Sequence, residues 1–338
     1  MIPFALKKLG QSVLILWGVA SLIFLLFTIL PGDPAEMMLG KRDDPEALAQ
    51  LRGQLGLDQP LYIQYGRFLG QLSPVGQKLD GRIGLKAPSL GMSYQRQGQS
   101  VGALIASTLP NTALLASVSI LIALILGGLL GTVAAYRQGS RLDRALTSLG
   151  ALGMSLPSFF TAVLFAWLFA YVLGPWTGLH LTGSLYEVHP YTGERHMVLR
   201  NLILPALTLG VRPVGVVLQL TRNSVLELME ASFVRTARAK GLPERAVFFR
   251  HLLPVALNPI ITTVSGWFAS LLVGAVFVEL IFGWNGIGKL LVDALNTRDL
   301  PVAMGCVLVV ASAFVFLTTL VDVLYAVLDP RVRASLMS

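Results

Sequence analysis

The sequence predicts an all-α, polytopic membrane protein of six transmembrane helices, and three observations predict it. Charged residues make up 13% and hydrophobic residues 54% of the 338 positions, with a mean hydropathy of +0.69. Soluble domains carry roughly 25% charged residues. Charge is withdrawn from long windows, each wide enough for the ~20 apolar residues that cross a bilayer as a helix. Between two such windows lies a basic amphipathic segment, Arg222 to His251, with six Arg or Lys against three Glu, which hydrocarbon could not hold. A barrel would need alternating strands instead.

The first window, between Lys8 and Asp33, reads GQSVLILWGVASLIFLLFTIL. It is too long for a signal-peptide core and lacks a small-residue cleavage site before Pro31, so it is expected to stay as an uncleaved first helix. A polar loop over 31–100 follows. Asp44-Pro45 and Asp58-Gln59-Pro60 read as helix starts, with Asp near the cap and Pro in the first turn. Leu48, Leu51 and Leu55 share one face of the first short helix; Tyr65, Leu69 and Leu72 share one face of the second. These helices either cover the bundle or dock a receptor.

The charge-free stretch from Arg96 to Arg137 exceeds one span. Its first part is expected to be an interfacial turn, with Pro110 at the entry and the second span over Ala113 to Ala135. Ala123, Gly127 and Gly131 repeat every four residues, which lets a neighbouring helix approach closely. The third span is placed near Leu149 to Leu173, interrupted by Pro157. The fourth covers Leu202 to Leu220 and contains Pro205, Arg212 and Pro213. The fifth lies near Pro259 to Phe282 and the sixth over Val302 to Val327. Cys306 lies inside the sixth and, as the single cysteine, makes no intrachain disulfide. The chain therefore divides into 1–96 (amino-terminal tail, first span and outer loop), 97–328 (the membrane domain, with the basic segment 222–251) and a tail over 329–338.

Lys and Arg in the short connections set orientation. With the amino terminus inside, the inner pieces hold Lys7, Lys8, Arg137, Arg141, Arg144, the basic segment, Arg331 and Arg333; the two short outer loops hold only Arg195, Arg200, Lys289 and Arg298. Both termini are expected in the cytoplasm. The basic excess is read as topology, and no nucleic-acid partner is expected.

Within the basic segment, Arg235-Thr236-Ala237-Arg238-Ala239-Lys240-Gly241 places a glycine suited to ending a helix, and Pro243 suits the first turn of the next. Ala246, Phe249 and Leu253 then recur at helical spacing and predict one apolar face. Exposed aromatics such as Phe248 and Phe249 beside basic residues need a cover, either anionic lipid or a groove on a cytoplasmic subunit.

The run FVRTARAKGLPERAVFFRHLLPVALNPIIT resembles the signature loop of the integral-membrane subunits of bacterial binding-protein-dependent ABC importers, in the dipeptide, oligopeptide and nickel branch. Pro31-Gly32-Asp33-Pro34, Leu55-Gly56-Leu57-Asp58-Gln59-Pro60, Leu204-Pro205-Ala206-Leu207, Phe282-Gly283-Trp284-Asn285-Gly286-Ile287-Gly288, Arg298-Asp299-Leu300-Pro301 and Asp329-Pro330-Arg331-Val332-Arg333 match the same family in order. The resemblance implies the type I ABC importer permease fold. It also implies a second homologous permease subunit, two cytoplasmic ATP-binding subunits and an extracytoplasmic solute-binding protein. The family's loop reads Glu-Ala-Ala, three residues, then Gly; here Arg235, Thr236, Ala237 and Gly241 stand at those positions, a departure that resembles the peptide branch. Arg235, Thr236, Ala237, Arg238, Lys240, Gly241, Phe248 and Phe249 are the implied ATPase-coupling residues. Peptides are the implied substrate, with nickel or another small solute on the same architecture as the alternative. The stretch Asp80 to Leu90 departs from the shorter spacing expected.

Other patterns weigh against catalysis. Gly283 to Leu290 has the spacing of a phosphate loop, but Leu290 stands where Ser or Thr must hold magnesium. Gly98-Gln99-Ser100-Val101-Gly102 matches a serine elbow without a preceding strand or a His within a span. His180, His189, His196 and His251 show no metal-ligand spacing. No cofactor, metal or catalytic residue is expected. Ionisable groups in spans are functional candidates by default. Arg212 and Gln219, seven residues apart on one helical face, are expected to wall the translocation path, with Glu279 as a further path residue, or Arg212 to pair with Glu279 or with another subunit. Glu279 and Asp322 lie near span ends, where interfacial placement accounts for them. A secondary transporter would need repeated buried charge pairs and broken helices; only Arg212 points that way.

Overall fold

The computed structural model describes residues 2–29, 34–39, 44–77, 83–86, 88–96, 98–188 and 191–328. Its helices, in chain order, are α1 (Ile2–Ile29), α2 (Pro34–Leu39), α3 (Pro45–Leu55), α4 (Leu61–Leu72), α5 (Val101–Ile122), α6 (Gly128–Tyr136), α7 (Arg141–Ser155), α8 (Ser158–Phe165), α9 (Gly174–Thr177), α10 (Arg200–Met229), α11 (Ser232–Ala239), α12 (Glu244–Ala246), α13 (Leu253–Phe282), α14 (Ile287–Asn296) and α15 (Leu300–Leu328). Three π-helical turns interrupt this order, at Ala123–Gly127, Ala166–Val172 and Val247–Leu252. Two antiparallel hairpins accompany the helices: β1 (Val75–Gln77) with β2 (Ile83–Leu85), and β3 (Tyr186–Val188) with β4 (Arg195–Met197). The chain forms two compact units, residues 1–110 with 286–338, and residues 111–285.

In the first unit α1 packs along α15, with Ala20, Ile23 and Leu308 buried between them and Ser12 Oγ 3.1 Å from Thr319 Oγ1. The outer helices α3 and α4 begin where the sequence places them. Asp44 caps α3 by accepting from the backbone N–H groups of Glu46 and Ala47, both at 3.1 Å, and Gly56 ends it in the left-handed region at φ 69°. Tyr65, Leu69 and Leu72 do face inward, onto α1: the Tyr65 hydroxyl lies 2.6 Å from Ser21 Oγ. The unexpected length at 80–90 contains the second strand of a hairpin, and residues 78–82 lie outside the described set. Asp299, 3% exposed, ties the loop ahead of α5 to the start of α15 by accepting from Ser93 Oγ and from the N–H of Tyr94 at 3.0 Å. Burial, and then Asp299, raises the Tyr94 phenol above its ordinary value. Cys306 is fully buried, with Val101, Ile105, Ile287 and Ala303 in the same core.

In the second unit α10 is the central post, buried along most of its length against α6, α7, α8 and α13. Ala123, Gly127 and Gly131 do form its seat. A Cβ on Gly131 would stand 2.5 Å from Leu218 O, and one on Gly127 2.8 Å from Val214 O. On the other side of α10, a Cβ on Gly215 would stand 2.4 Å from Gly150 O of α7. Backbone leaves no slack there, so Gly215→Val is expected to lower thermal stability by about 2 kcal/mol or more, as forced overpacking does. Detergent-solubilised melting of the full chain measures it, and an unchanged midpoint would refute the close packing.

Among the described residues four helices are long and apolar enough to cross a membrane by themselves: Lys8–Ile29, Val101–Tyr136, Arg200–Met229 and Leu300–Val321. At the place of the expected fifth span, α13 runs 30 residues from Leu253 to Phe282, starting earlier than the expected Pro259. One expectation needs correction. The second span does not begin at Ala113: α5 is helical from Val101 and carries Pro110 inside it, because nothing in the apolar stretch after Val101 ends a helix and a proline removes only one backbone donor. The third span is broken at Pro157, where the sequence places the interruption: the chain bends by 111° at Leu156-Pro157, between α7 and the pair α8 with its π-helical turn. Leu156 stays extended ahead of Pro157, as steric conflict with the proline ring requires. The Pro31 to Asp33 and Asp329 to Arg333 motifs, and His189, lie outside the described residues, as does the side chain of Asp322.

Candidate functional site

The basic segment folds as a helix–turn–helix beyond the end of α10. Short α11 ends at Lys240, and Gly241 takes φ 76°, a conformation that a side chain would strain, before Pro243 opens the next turn. The turn is closed by Arg238, whose Nε and Nη2 donate to the Glu244 carboxylate at 2.8 and 3.2 Å. Bonding to Glu244 raises the Arg238 guanidinium further above neutral pH. Arg235 folds back on the end of α10, donating twice to Glu230 O at 3.0 and 2.7 Å. Thr236 Oγ1 donates to Ser232 O, a bond within its own helix, and Lys240 points into solvent. Ala237 is buried with Val234 and Val247 in a core of its own, which holds the two limbs together.

The apolar face after Pro243 differs from the expected one. Ala246, Phe249 and Leu253 do not line up inward; Val247 and Leu252 are buried, and Phe248 is half-buried, edge-on to Tyr136 at 6.0 Å between ring centroids. The reason is the π-helical turn over Val247–Leu252, which adds a residue to the turn and rotates the buried stripe by one position. Phe249 is thereby turned outward, 65% exposed. Phe233 and Leu242 are exposed on the same segment, and sequence reasoning missed both because each lies ahead of Pro243, outside the helical run on which Phe249 is read. The segment therefore presents exposed apolar side chains among Arg235, Lys240 and Arg250.

The second set of candidates lies on α10. Arg212, near mid-helix, donates from Nε to Met154 O at 3.1 Å, with its guanidinium carbon 5.9 Å from the Trp267 ring centroid. It does not pair with Glu279. That carboxylate is fully buried and accepts from Thr112 Oγ1 at 2.6 Å, and its own backbone carbonyl accepts from Trp284 N–H at 2.8 Å. Glu279 is thus enclosed rather than interfacial, because Trp284 Nε1, bonded to Asn111 O, folds over the end of α13. Gln219 is half-buried, seven residues along the same face as Arg212. Among the described residues no group of three His, Cys, Asp or Glu is arranged to hold a metal.

A bundle of apolar helices, with an amphipathic basic turn beyond its spans and a polar stripe within one of them, defines a polytopic transport subunit. The chain belongs to the binding-protein-dependent transport system inner membrane component family: residues 127–334 match that family, and residues 1–116 match the amino-terminal component of the same systems. It is 36% identical to the di/tripeptide transport system permease protein DppB of Pseudomonas aeruginosa, over 98% of this chain and 99% of that one. It is 39% identical to a putative peptide transport system permease of Brucella abortus, over 98% and 99%, and 32% identical to the dipeptide permease DppB of Alkalihalophilus pseudofirmus, over 98% and 100%. It is a multi-pass inner-membrane permease subunit of a bacterial ABC importer.

Proposed function

We propose that this chain forms half of the translocation path for di- or oligopeptides in an ATP-driven importer. A second homologous permease supplies the other half, a solute-binding protein delivers the peptide, and two ATP-binding subunits drive the cycle. Both termini and the segment 222–251 lie in the cytoplasm in this reading. The observation that carries it is the outward Phe249 on a segment braced by the Val234–Ala237–Val247 core: an exposed aromatic on a rigid stub is what a groove on a partner can grip. The relatives that this chain resembles along its whole length are named as peptide permeases, which supports the substrate class.

Movement of the ATP-binding subunits would then be passed through α11 and the π-helical turn into α10 and α13 as a rigid-body tilt. Arg212 and Gln219 wall the path, and Glu279 sits behind it, holding α13 to α5 through Thr112. The test is reconstitution with the two ATP-binding subunits, the second permease and the receptor encoded with it. Labelled dipeptide should accumulate only with ATP and receptor together. Accumulation driven by an ion gradient without ATP would refute the reading.

A further inference from the structure

Arg212 sits within a membrane-spanning helix, is exposed on this chain, and has no carboxylate within 4.0 Å among the described residues. Its one hydrogen bond there is from Nε, so the two terminal nitrogens of the guanidinium make none. The acceptor it uses is a consequence of the bend at Pro157: α7 stops at Ser155, so Met154 O has no helical donor, and Arg212 supplies one. The guanidinium carbon lies over the Trp267 ring, 5.9 Å from its centroid. Carbonyl and ring together fix the fork while leaving its far edge open.

Two further polar side chains stand on the same stripe. Gln219 follows by seven residues and Asn223 by eleven, which places them about 10 and about 16 Å along the helix, on nearly the same bearing. The Gln219 amide makes no hydrogen bond among the described residues, and Asn223 is exposed, its Oδ1 accepting from Arg222 Nη1 at 3.5 Å and its amide NH2 making no hydrogen bond among them. An unpaired cation and an unpaired amide are costly in hydrocarbon, so this stripe must face an aqueous path or an anion.

A guanidinium with its two outer N–H groups free is shaped for a carboxylate, which it binds bidentately. We propose that Arg212 recognises the carboxy-terminal carboxylate of the transported peptide, with Gln219 and Asn223 offering amide donors and acceptors to its backbone. The spacing suits an extended peptide of about three to five residues, each spanning about 3.4 Å, while a dipeptide held at Arg212 reaches only part of the way to Gln219. This rests on the peptide-path reading above and assigns it a specificity residue: the substrate class is peptides with a free carboxy terminus.

The test uses the assembled transporter in proteoliposomes, carrying Arg212→Cys together with Cys306→Ala, which removes this chain's single native thiol; the Cys306→Ala parent, treated with the same reagents, sets the baseline for thiols of the other subunits. Dipeptide uptake is expected to fall about tenfold, the loss of a charge-assisted hydrogen bond. Modification with 2-aminoethyl methanethiosulfonate, which restores a cation, should bring uptake back to within about threefold of the parent. The methyl reagent should not, and the 2-sulfonatoethyl reagent should lower uptake further. Subunit copurification should be unchanged by all three adducts; if it moves with uptake, Arg212 only braces Met154 and the assignment fails. Arg212→Lys, unmodified, should retain at least about a third of uptake and guards against a misfolded cysteine variant. Equal uptake with neutral and cationic adducts overturns the carboxylate assignment alone. A thiol that no reagent reaches, with or without ATP, overturns the path reading itself.

Discussion

Phe249→Asp is expected to release the ATP-binding subunits from this chain and to cut ATP-dependent uptake about a hundredfold, while leaving the chain folded. The expectation follows from exposure. Phe249 is 65% exposed, so its replacement removes little from the fold, and surface changes of that kind cost within about 0.5 kcal/mol. Gripped in a partner's groove, an aromatic of this kind is an anchor worth about 2–4 kcal/mol, and a carboxylate placed there would also be desolvated. Phe248 is the contrast. It packs on Tyr136 at 6.0 Å and on Phe249 at 4.9 Å, so Phe248→Asp should lower stability as well as coupling. The measurements are the ratio of ATP-binding subunit to permease after affinity purification and the thermal midpoint of the isolated permease. If Phe249→Asp keeps full copurification, the coupling face lies elsewhere.

That asymmetry between two adjacent phenylalanines marks how far the sequence can be read. Helix existence was legible from charge-free windows, and the Ala123–Gly127–Gly131 seat from its four-residue repeat, because both depend on a single helix and its solvent. The turn at Gly241 was legible because a left-handed residue ahead of proline has few alternatives. What escaped were features set by more than one segment. The π-helical turn that rotates Phe249 outward has no composition of its own, and it moved the buried stripe from Ala246–Leu253 to Val247–Leu252. The short hairpins 75–85 and 186–197 are three residues per strand, too brief for alternation to show. Pro110 read as a helix start, yet stands inside a helix, since the apolar residues ahead of it pack as a continuation. A pairing of Arg212 with Glu279 was one alternative. Each instead found a neighbour that only the fold provides, a carbonyl orphaned at Pro157 and the hydroxyl of Thr112.

The Asp143–Arg222 pair, which neither the windows nor the resemblance pointed to, should be the costliest single side-chain contact to break. Asp143 is 3% exposed at the start of α7, and Arg222 approaches from α10 in a two-pronged grip: Nε to Oδ1 at 2.6 Å and Nη2 to Oδ2 at 2.8 Å. The same carboxylate accepts from Gly139 N–H at 2.9 Å, so it also closes the turn that admits α7. Asp143→Ala would leave the partly buried Arg222 guanidinium, 23% exposed, without its carboxylate and the Gly139 N–H without its acceptor. Removing one member of such a pair costs about 3 kcal/mol or more. The detergent-solubilised thermal midpoint is therefore expected to fall by at least about 5 °C. The double variant Asp143→Leu with Arg222→Met removes both charges and fills the space, so it should recover most of that loss, because buried ion pairs seldom outperform well-packed apolar side chains. Uptake should separate from stability in that variant. Arg222 opens the segment that leads to Phe249, and α7 turns at Met154 and Pro157 toward Arg212, so the pair joins the proposed coupling surface to the proposed path through two rigid helices. Apolar packing restores adhesion between α7 and α10 without the fixed angle that a bidentate contact imposes. A double variant with a normal midpoint and uptake still several-fold below wild type is the expected result; full uptake at a normal midpoint would reduce the pair to adhesion alone.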